Sequence, residues 1–288
     1  DVVHTHSAKA GILGRLAASQ QKVPVIIHTV HGAPFYPGQG RAGGLLTRWA
    51  EKHAARHCHH FVSVADAMTD MMVTANIAPR EKFTTVYSGM EVEPFLQAAE
   101  HRQQVRAQLG YEPDHIVVGK VARLFHLKGH QHLLQAAAPI VQRCPQVRFL
   151  LVGDGILREE LEYAIQASGL TDYFQFTGLV PPQRIPELIG AMDMLVHLSL
   201  REGLARVLPQ ALIAGKPVIS YDIDGAREVV IPDETGFLLP PESIELLIDA
   251  VCTLAGNAEL RHQWGGAGQG KFADVFHHQH MTRRLREL

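Results

Sequence analysis

The chain has 288 residues, 46% hydrophobic and 19% charged, with 27 Lys and Arg against 29 Asp and Glu for a formal net charge of −2. That balance excludes collagen-like, low-complexity and strongly charged disordered chains, and it supplies no long-range field for nucleic acid, so any anion binding must be local. The length suits about two domains of roughly 100–200 residues, and the three cysteines, Cys58, Cys144 and Cys252, form no CxxC pair, which argues against a disulfide framework or a cysteine-rich zinc site and fits a reducing cytoplasm.

Asp1-Val2-Val3-His4 reads as a buried strand already under way, so the sequence is expected to begin inside a truncated domain with no signal peptide ahead of it. The strand runs out through His4-Thr5-His6-Ser7, with His6 favoured over His4 to reach a cleft. A second strand, Val23–Val30, delivers His31 and Gly32 to its carboxyl end. The stretch that follows is a basic amphipathic helix with Arg48, Lys52 and Arg56 on one face and Leu46, Trp49 and Ala50 toward another. Such a helix can lie on an anionic membrane, although the solvated face of a docked helix is the favoured reading. His53 and His57 share a helix face and lead into Cys58, His59 and His60, but no HExxH frame or paired carboxylate accompanies them, so no metal site is expected.

Strands at Phe61–Val64 and Phe83–Tyr87 precede a polar stretch, Glu91–Asp114, that is the candidate inter-domain linker. Beyond it, strands Ile116–Val121, Val147–Val152, Phe174–Thr177, Leu195–Leu198 and Pro217–Ser220 alternate with helices Gln131–Arg143, Leu157–Ser168, Pro182–Ala191 and, last, Ser243–Ala255. That alternation predicts an α/β protein with parallel sheets covered by helices. No window approaches the ~18 apolar residues of a membrane-spanning helix.

Ligands of such sheets bind at the carboxyl ends of strands. After Ile116–Val121 stand Arg123 and Lys128, two cations placed at a helix N-terminus where a diphosphate could be held, although an isolated pair reads more simply as solvated surface cations. After Val147–Val152, Gly153-Asp154-Gly155 is either a structural turn or a nucleotide contact; Arg158 occupies the place of a third glycine, so it is no dinucleotide fingerprint. Glu202, just ahead of the helix that ends at Gly215-Lys216-Pro217, either accepts hydrogen bonds from sugar hydroxyls or merely complements a helix dipole.

Taken together, Gly119…Arg123…Lys128-Gly129, Phe149-Leu150-Leu151-Val152-Gly153-Asp154-Gly155, Phe176-Thr177-Gly178, Glu202-Gly203 and Ala214-Gly215-Lys216-Pro217-Val218 resemble glycosyltransferase family 4, retaining enzymes of the GT-B fold. The resemblance implies two facing Rossmann-like domains, the N-terminal one incomplete. Residues 1–100 would form the acceptor side and 112–268 the donor domain, with 271–288 returning to pack on the first. It further implies transfer of a sugar from a nucleoside diphosphate sugar to an acceptor hydroxyl with retention, in polysaccharide or glycolipid synthesis. Arg123 and Lys128 would hold the diphosphate, Val180 the base through its backbone, and Gly153, Gly203, Leu204 and Ala205 would complete the donor site. Glu202 would meet the donor sugar, His31 would join it at the reacting centre, and His6 would stand on the acceptor side. Gln210 departs from the family, whose second glutamate at this place binds ribose hydroxyls; an amide can still accept one such bond and donate another.

No cofactor or metal is expected. The expected partners are a nucleotide-sugar donor and a glycan or lipid-linked acceptor, with cytoplasmic location and peripheral membrane contact, and without nucleic acid. Three other readings stand beside this one: a nucleotide-sugar 2-epimerase of the same architecture, a noncatalytic nucleotide-binding fragment and, last, a histidine-rich metal-binding protein.

Overall fold

Strands that are apolar on both faces are stable only when helices cover both sides of a parallel sheet. The computed structural model, which describes residues 1–32, 34–35 and 40–288, contains two sheets of this kind in two compact units. The first unit comprises Asp1–Ser88 together with Glu202–Leu204 and Met281–Leu288; the second comprises Gly89–Arg201 and Ala205–His280. The division thus falls at Ser88, ahead of the residue 100 suggested by the sequence, and Lys271–His280 stay with the second unit.

In the first unit β1 (Val2–His6), α1 (Ala8–Gln20), β2 (Val25–Val30), α2 (Arg41–Ala55), β3 (His60–Ser63), α3 (Asp66–Thr74) and β4 (Phe83–Thr85) follow one another, and the four strands are parallel in the order β1-β2-β3-β4. One cluster of its core gathers Val30, Phe35, Phe61, Met68 and Met72, with Leu204 packed against it.

The second unit opens with α4 (Glu93–Leu96) and α5 (Arg102–Gln108). Then come β5 (Ile116–Val121), α6 (His130–Arg143), β6 (Val147–Val152), α7 (Arg158–Ala167), β7 (Phe174–Gly178), α8 (Ile185–Ala191), β8 (Met194–His197), α9 (Val207–Ile213), β9 (Val218–Tyr221), β10 (Gly236–Leu239), α10 (Ile244–Gly256) and α11 (Ala258–Phe272). A last helix, α12 (His278–Arg286), passes from the second unit into the residues grouped with the first. Its six strands are parallel in the order β10-β9-β8-β5-β6-β7. Numbered within the unit, that is the dinucleotide-fold order 3-2-1-4-5-6, whose direction reverses between β5 and β8, the place where ligands of such sheets bind. The sheet is filled by Val118, Phe149, Leu151, Met194, Val196 and Ile219 under a helical layer that includes Leu133, Ile140 and Val251.

The polar stretch Glu91–Asp114 is no linker. It folds as α4 and α5 within the second unit and buries Phe95, Ala98 and Val105. Its arginines satisfy the carbonyls that α8 leaves unpaired at its C-terminus. Arg102 donates to the oxygens of Gly190, Ala191 and Met192 and reaches Asp193 at 2.7 Å, while Arg106 donates to Ala191, Asp193, Glu112 and His115. Charge in this segment caps a helix rather than keeping a connector in solvent.

Candidate functional site

The exits of β5, β6 and β8 are stitched together by their backbones. Ala122 N–H donates to Val152 and Leu124 N–H to Asp154, while Leu200 N–H donates to Leu127, at 2.8–3.0 Å. Glycine is required at three of these crossings. Gly153 (φ +136°) and Gly129 (φ +66°) lie in backbone regions that side chains rarely adopt, and a Cβ on either would overlap the carbonyl of Ala122 or Leu198; one on Gly155 would overlap that of Leu124. The predicted Gly153 turn therefore serves at least the structural purpose weighed for it.

On this scaffold the loop 122–129 presents Arg123, exposed and with its guanidinium 5.0 Å from the Phe125 ring centroid, and Lys128, half-buried, directly ahead of α6. The first amides of a 14-residue helix lack partners within the helix and carry its positive pole, so this loop combines two cations with the positive end of a helix. His130 holds the loop from below: its Nε2 lies 2.9 Å from the Arg123 carbonyl oxygen, and burial, aided by the charge of Lys120, lowers its pKa to about 4. A neutral imidazole then donates that bond at neutral pH. Val180 stands half-buried at the exit of β7, beyond the exposed Leu179, and Gln210 half-buried in α9.

Between β8 and α9 the chain makes an excursion: Glu202, Gly203 and Leu204 group with the first unit, while Ala205 returns to the second. Gly203 passes so close to the His31 carbonyl that a Cβ would overlap its oxygen, and Gly32 lies against the Glu202 backbone. This backbone packing sets half-buried Glu202 beside the strand-end histidine.

That histidine belongs to a group the sequence showed only in part. His31 Nε2 meets His6 Nδ1 at 2.9 Å, the two rings stacking at 5.2 Å, and His6 in turn lies 4.4 Å from the His4 ring. His4 and His6 share a face because side chains alternate along a strand, and His4 is tied to Thr29 at 2.7 Å. Burial and the neighbouring His6 hold His31 below the usual imidazole range. Beneath them His28, 2.9 Å from the Thr5 hydroxyl, is buried; desolvation first and the Arg15 charge second lower its pKa to about 3.

The sign of this shift gives a test. An unfolded histidine takes up a proton near 6.5 that folded His28 refuses until about 3, so stability present at neutral pH is lost as pH falls through that window. Urea denaturation is expected to show the loss between about pH 7.5 and about pH 4.5, and His28→Gln to flatten the slope by close to one proton.

The second histidine cluster keeps an edge-on contact between the His53 and His57 rings at 5.8 Å but does not converge on one point. His57 meets the Ser19 hydroxyl, His59 accepts from the Ile26 amide, His60 meets Thr84, His53 stacks on Trp49, and Cys58 is buried. Among the described residues no group of three metal-ligating side chains converges. Helix α2 also departs from expectation: Leu46 and Trp49 point to solvent, and the docked face carries Glu51, Ala54 and Ala55.

A family model described as glycosyl transferases group 1 matches residues 101–271, and one described as a glycosyl transferase 4-like domain matches residues 1–89. The chain is 30% identical over 263 residues to the UDP-Gal:alpha-D-GlcNAc-diphosphoundecaprenol alpha-1,3-galactosyltransferase of Escherichia coli, covering 90% of this chain and 67% of that protein. It is 28% identical over 270 residues to the alpha-D-kanosaminyltransferase of Streptomyces kanamyceticus, covering 91% and 69%. Among solved structures, HepE of Anabaena in complex with UDP and glucose superposes with a TM-score of 0.88 at 25% identity, covering all of this chain and 77% of that one.

Proposed function

The chain belongs to the glycosyl transferases group 1 family, and we propose that this glycosyltransferase moves a sugar from a nucleoside diphosphate sugar to an acceptor hydroxyl with retention of configuration. The observation that carries the reading is the β5/β8 switch point, where Arg123, Lys128 and the N-terminus of α6 offer charge for a diphosphate. The leaving diphosphate gains negative charge in the transition state, and cations with preorganised amides stabilise it there without a general base. Glu202 takes the hydroxyls of the donor sugar, His31 faces the reacting centre, Val180 contacts the base through its backbone, and Gln210 takes a ribose hydroxyl. His6 stands with the acceptor, a glycan or lipid-linked glycan in envelope or polysaccharide synthesis. The enzyme works in the cytoplasm, in peripheral contact with a membrane. The UDP-Gal donor and lipid diphosphate acceptor named for the Escherichia coli relative, and the UDP and glucose bound by HepE, support this choice.

The test is a panel of UDP-, GDP- and ADP-sugars scored by thermal stabilisation, since a ligand that binds only the folded state raises its stability. NMR of the transferred anomeric centre then follows for the stabilising donor. An inverted product, or free epimerised sugar without transfer, overturns the reading, as does stabilisation by none of the three. Because Arg123 and Lys128 supply the charge, a chelator is expected to leave donor affinity within about twofold of its starting value. Gly203→Ala is expected to lower kcat/KM by roughly tenfold or more, since displacing a positioned group by ~1 Å can cost about a hundredfold. Donor affinity measured by calorimetry checks that this variant still binds.

A further inference from the structure

Helix α2 is mounted with its apolar stripe outward. Leu45, Leu46 and Trp49 are 69%, 66% and 66% exposed, and they share one stripe of the helix by their three- and four-residue spacing. Leu13, 70% exposed, is added by α1, which packs beside α2. Arg48 and Lys52 stand exposed on the same helix and Arg56 caps its end. The helix has a single acidic residue, Glu51, and that carboxylate is buried against Arg15 at 2.6 Å, so no acid remains on the outer face. The result is an apolar centre with a large amphipathic indole, bordered by cations, on a chain whose net charge is −2.

We propose that this face seats the enzyme on an anionic phospholipid surface, with Leu45, Leu46 and Trp49 entering the headgroup boundary and Arg48, Lys52 and Arg56 pairing with lipid phosphates. Charge decides among occupants. A second copy of the chain meeting this face across a twofold axis would bring the same cations against one another, a repulsive arrangement, whereas anionic lipid complements them and accepts the Leu and Trp side chains. The proposal rests on the membrane contact in the reading above and is independent of its donor chemistry.

Flotation of the full chain with vesicles tests it. Binding is expected to vesicles of phosphatidylcholine with phosphatidylglycerol and to be released by salt, with little binding to phosphatidylcholine alone. Emission from Trp49 should shift to the blue on binding, against the constant signal of buried Trp264. The L45Q/L46Q/W49Q variant, altered only at exposed positions, is expected to lose roughly tenfold or more of its vesicle binding while keeping its affinity for UDP. Absence of flotation with the anionic vesicles, or flotation that the three substitutions leave unchanged, overturns the proposal. So does a concentration-dependent dimer in lipid-free sedimentation that the same substitutions abolish, since the face would then belong to a second copy. Sugar transfer to a soluble acceptor, measured on the same preparations, shows separately whether the transferase reading holds.

Discussion

Replacing Arg123 and Lys128 together with alanine is expected to lower affinity for a nucleoside diphosphate by at least about a hundredfold, because each charge-assisted bond to a phosphate contributes roughly 1.5–3 kcal/mol. Arg123 is exposed and holds the fold through its backbone carbonyl, which His130 still meets after the side chain is removed. The loop itself is kept in place by the bonds of Ala122 and Leu124 to the exit of β6, neither of which uses a side-chain cation. Calorimetry with UDP and GDP measures the loss, and a thermal melt without ligand checks that the scaffold is intact. Undiminished affinity in the folded double variant would remove the basis for placing the diphosphate at the end of β5.

The largest stability effect is expected inside the first unit, where α1 and α2 meet through Arg15 and Glu51, 0% and 1% exposed. Arg15 Nη2 donates to Glu51 at 2.6 Å, its Nε donates to the Gly11 carbonyl at 2.9 Å, and its guanidinium lies 5.7 Å from the Phe61 ring centroid. Two charges taken out of water are held there chiefly by each other, with the Gly11 carbonyl and the Phe61 ring as further partners of the guanidinium. Glu51→Ala leaves an uncompensated buried guanidinium and is expected to cost about 3–5 kcal/mol, a large part of the roughly 5–15 kcal/mol that folds a typical domain.

Arg15→Met has a different signature. Burial already raises the Glu51 pKa above the ordinary carboxylate range, and Arg15 opposes that rise. Without Arg15 the folded carboxyl binds a proton at a pH where the unfolded one does not. Stability of this variant therefore falls as pH rises above about 4.5 and recovers in acid, the reverse of the His28 effect. Arg15→Met combined with Glu51→Leu should recover most of the loss, as apolar replacements of buried pairs commonly do. Urea denaturation of the parent, Arg15→Met, Glu51→Leu and the variant that combines these two closes a double-mutant cycle and gives the coupling. A Glu51→Ala variant within about 0.5 kcal/mol of the parent would show the pair to be dispensable.

The same ion pair accounts for the orientation of α2. Amphipathicity in the sequence marks an apolar stripe, and the default assumption is that the stripe faces the core. Here the core side offers a buried arginine, so the helix docks through Glu51 and two alanines and turns Leu46 and Trp49 outward. Likewise, Arg102 and Arg106 look like solvated charges in a polar connector until the carbonyls of Gly190, Ala191 and Met192, nearly ninety residues away, come within reach. Strand β10 (Gly236–Leu239) is not legible locally, since its place at the sheet edge depends on pairing with β9.

The sequence by itself determined most of the strands and helices, that the sheets are parallel, and which strand-exit loops to propose as the site. Each of these depends on local periodicity or on a residue type at a strand exit, and Arg123, Lys128, Glu202 and His31 could be singled out on that ground. Only the tertiary structure decided which of those residues are neighbours. His6 meets His31 across 25 residues because β1 and β2 happen to pair in register, and Gly203 lies against His31 because the chain leaves β8 on an excursion that no local pattern announces. Periodicity is a property of consecutive residues, whereas a site is a property of the ends of strands brought side by side, and the order of the strands is settled by the packing of the whole unit.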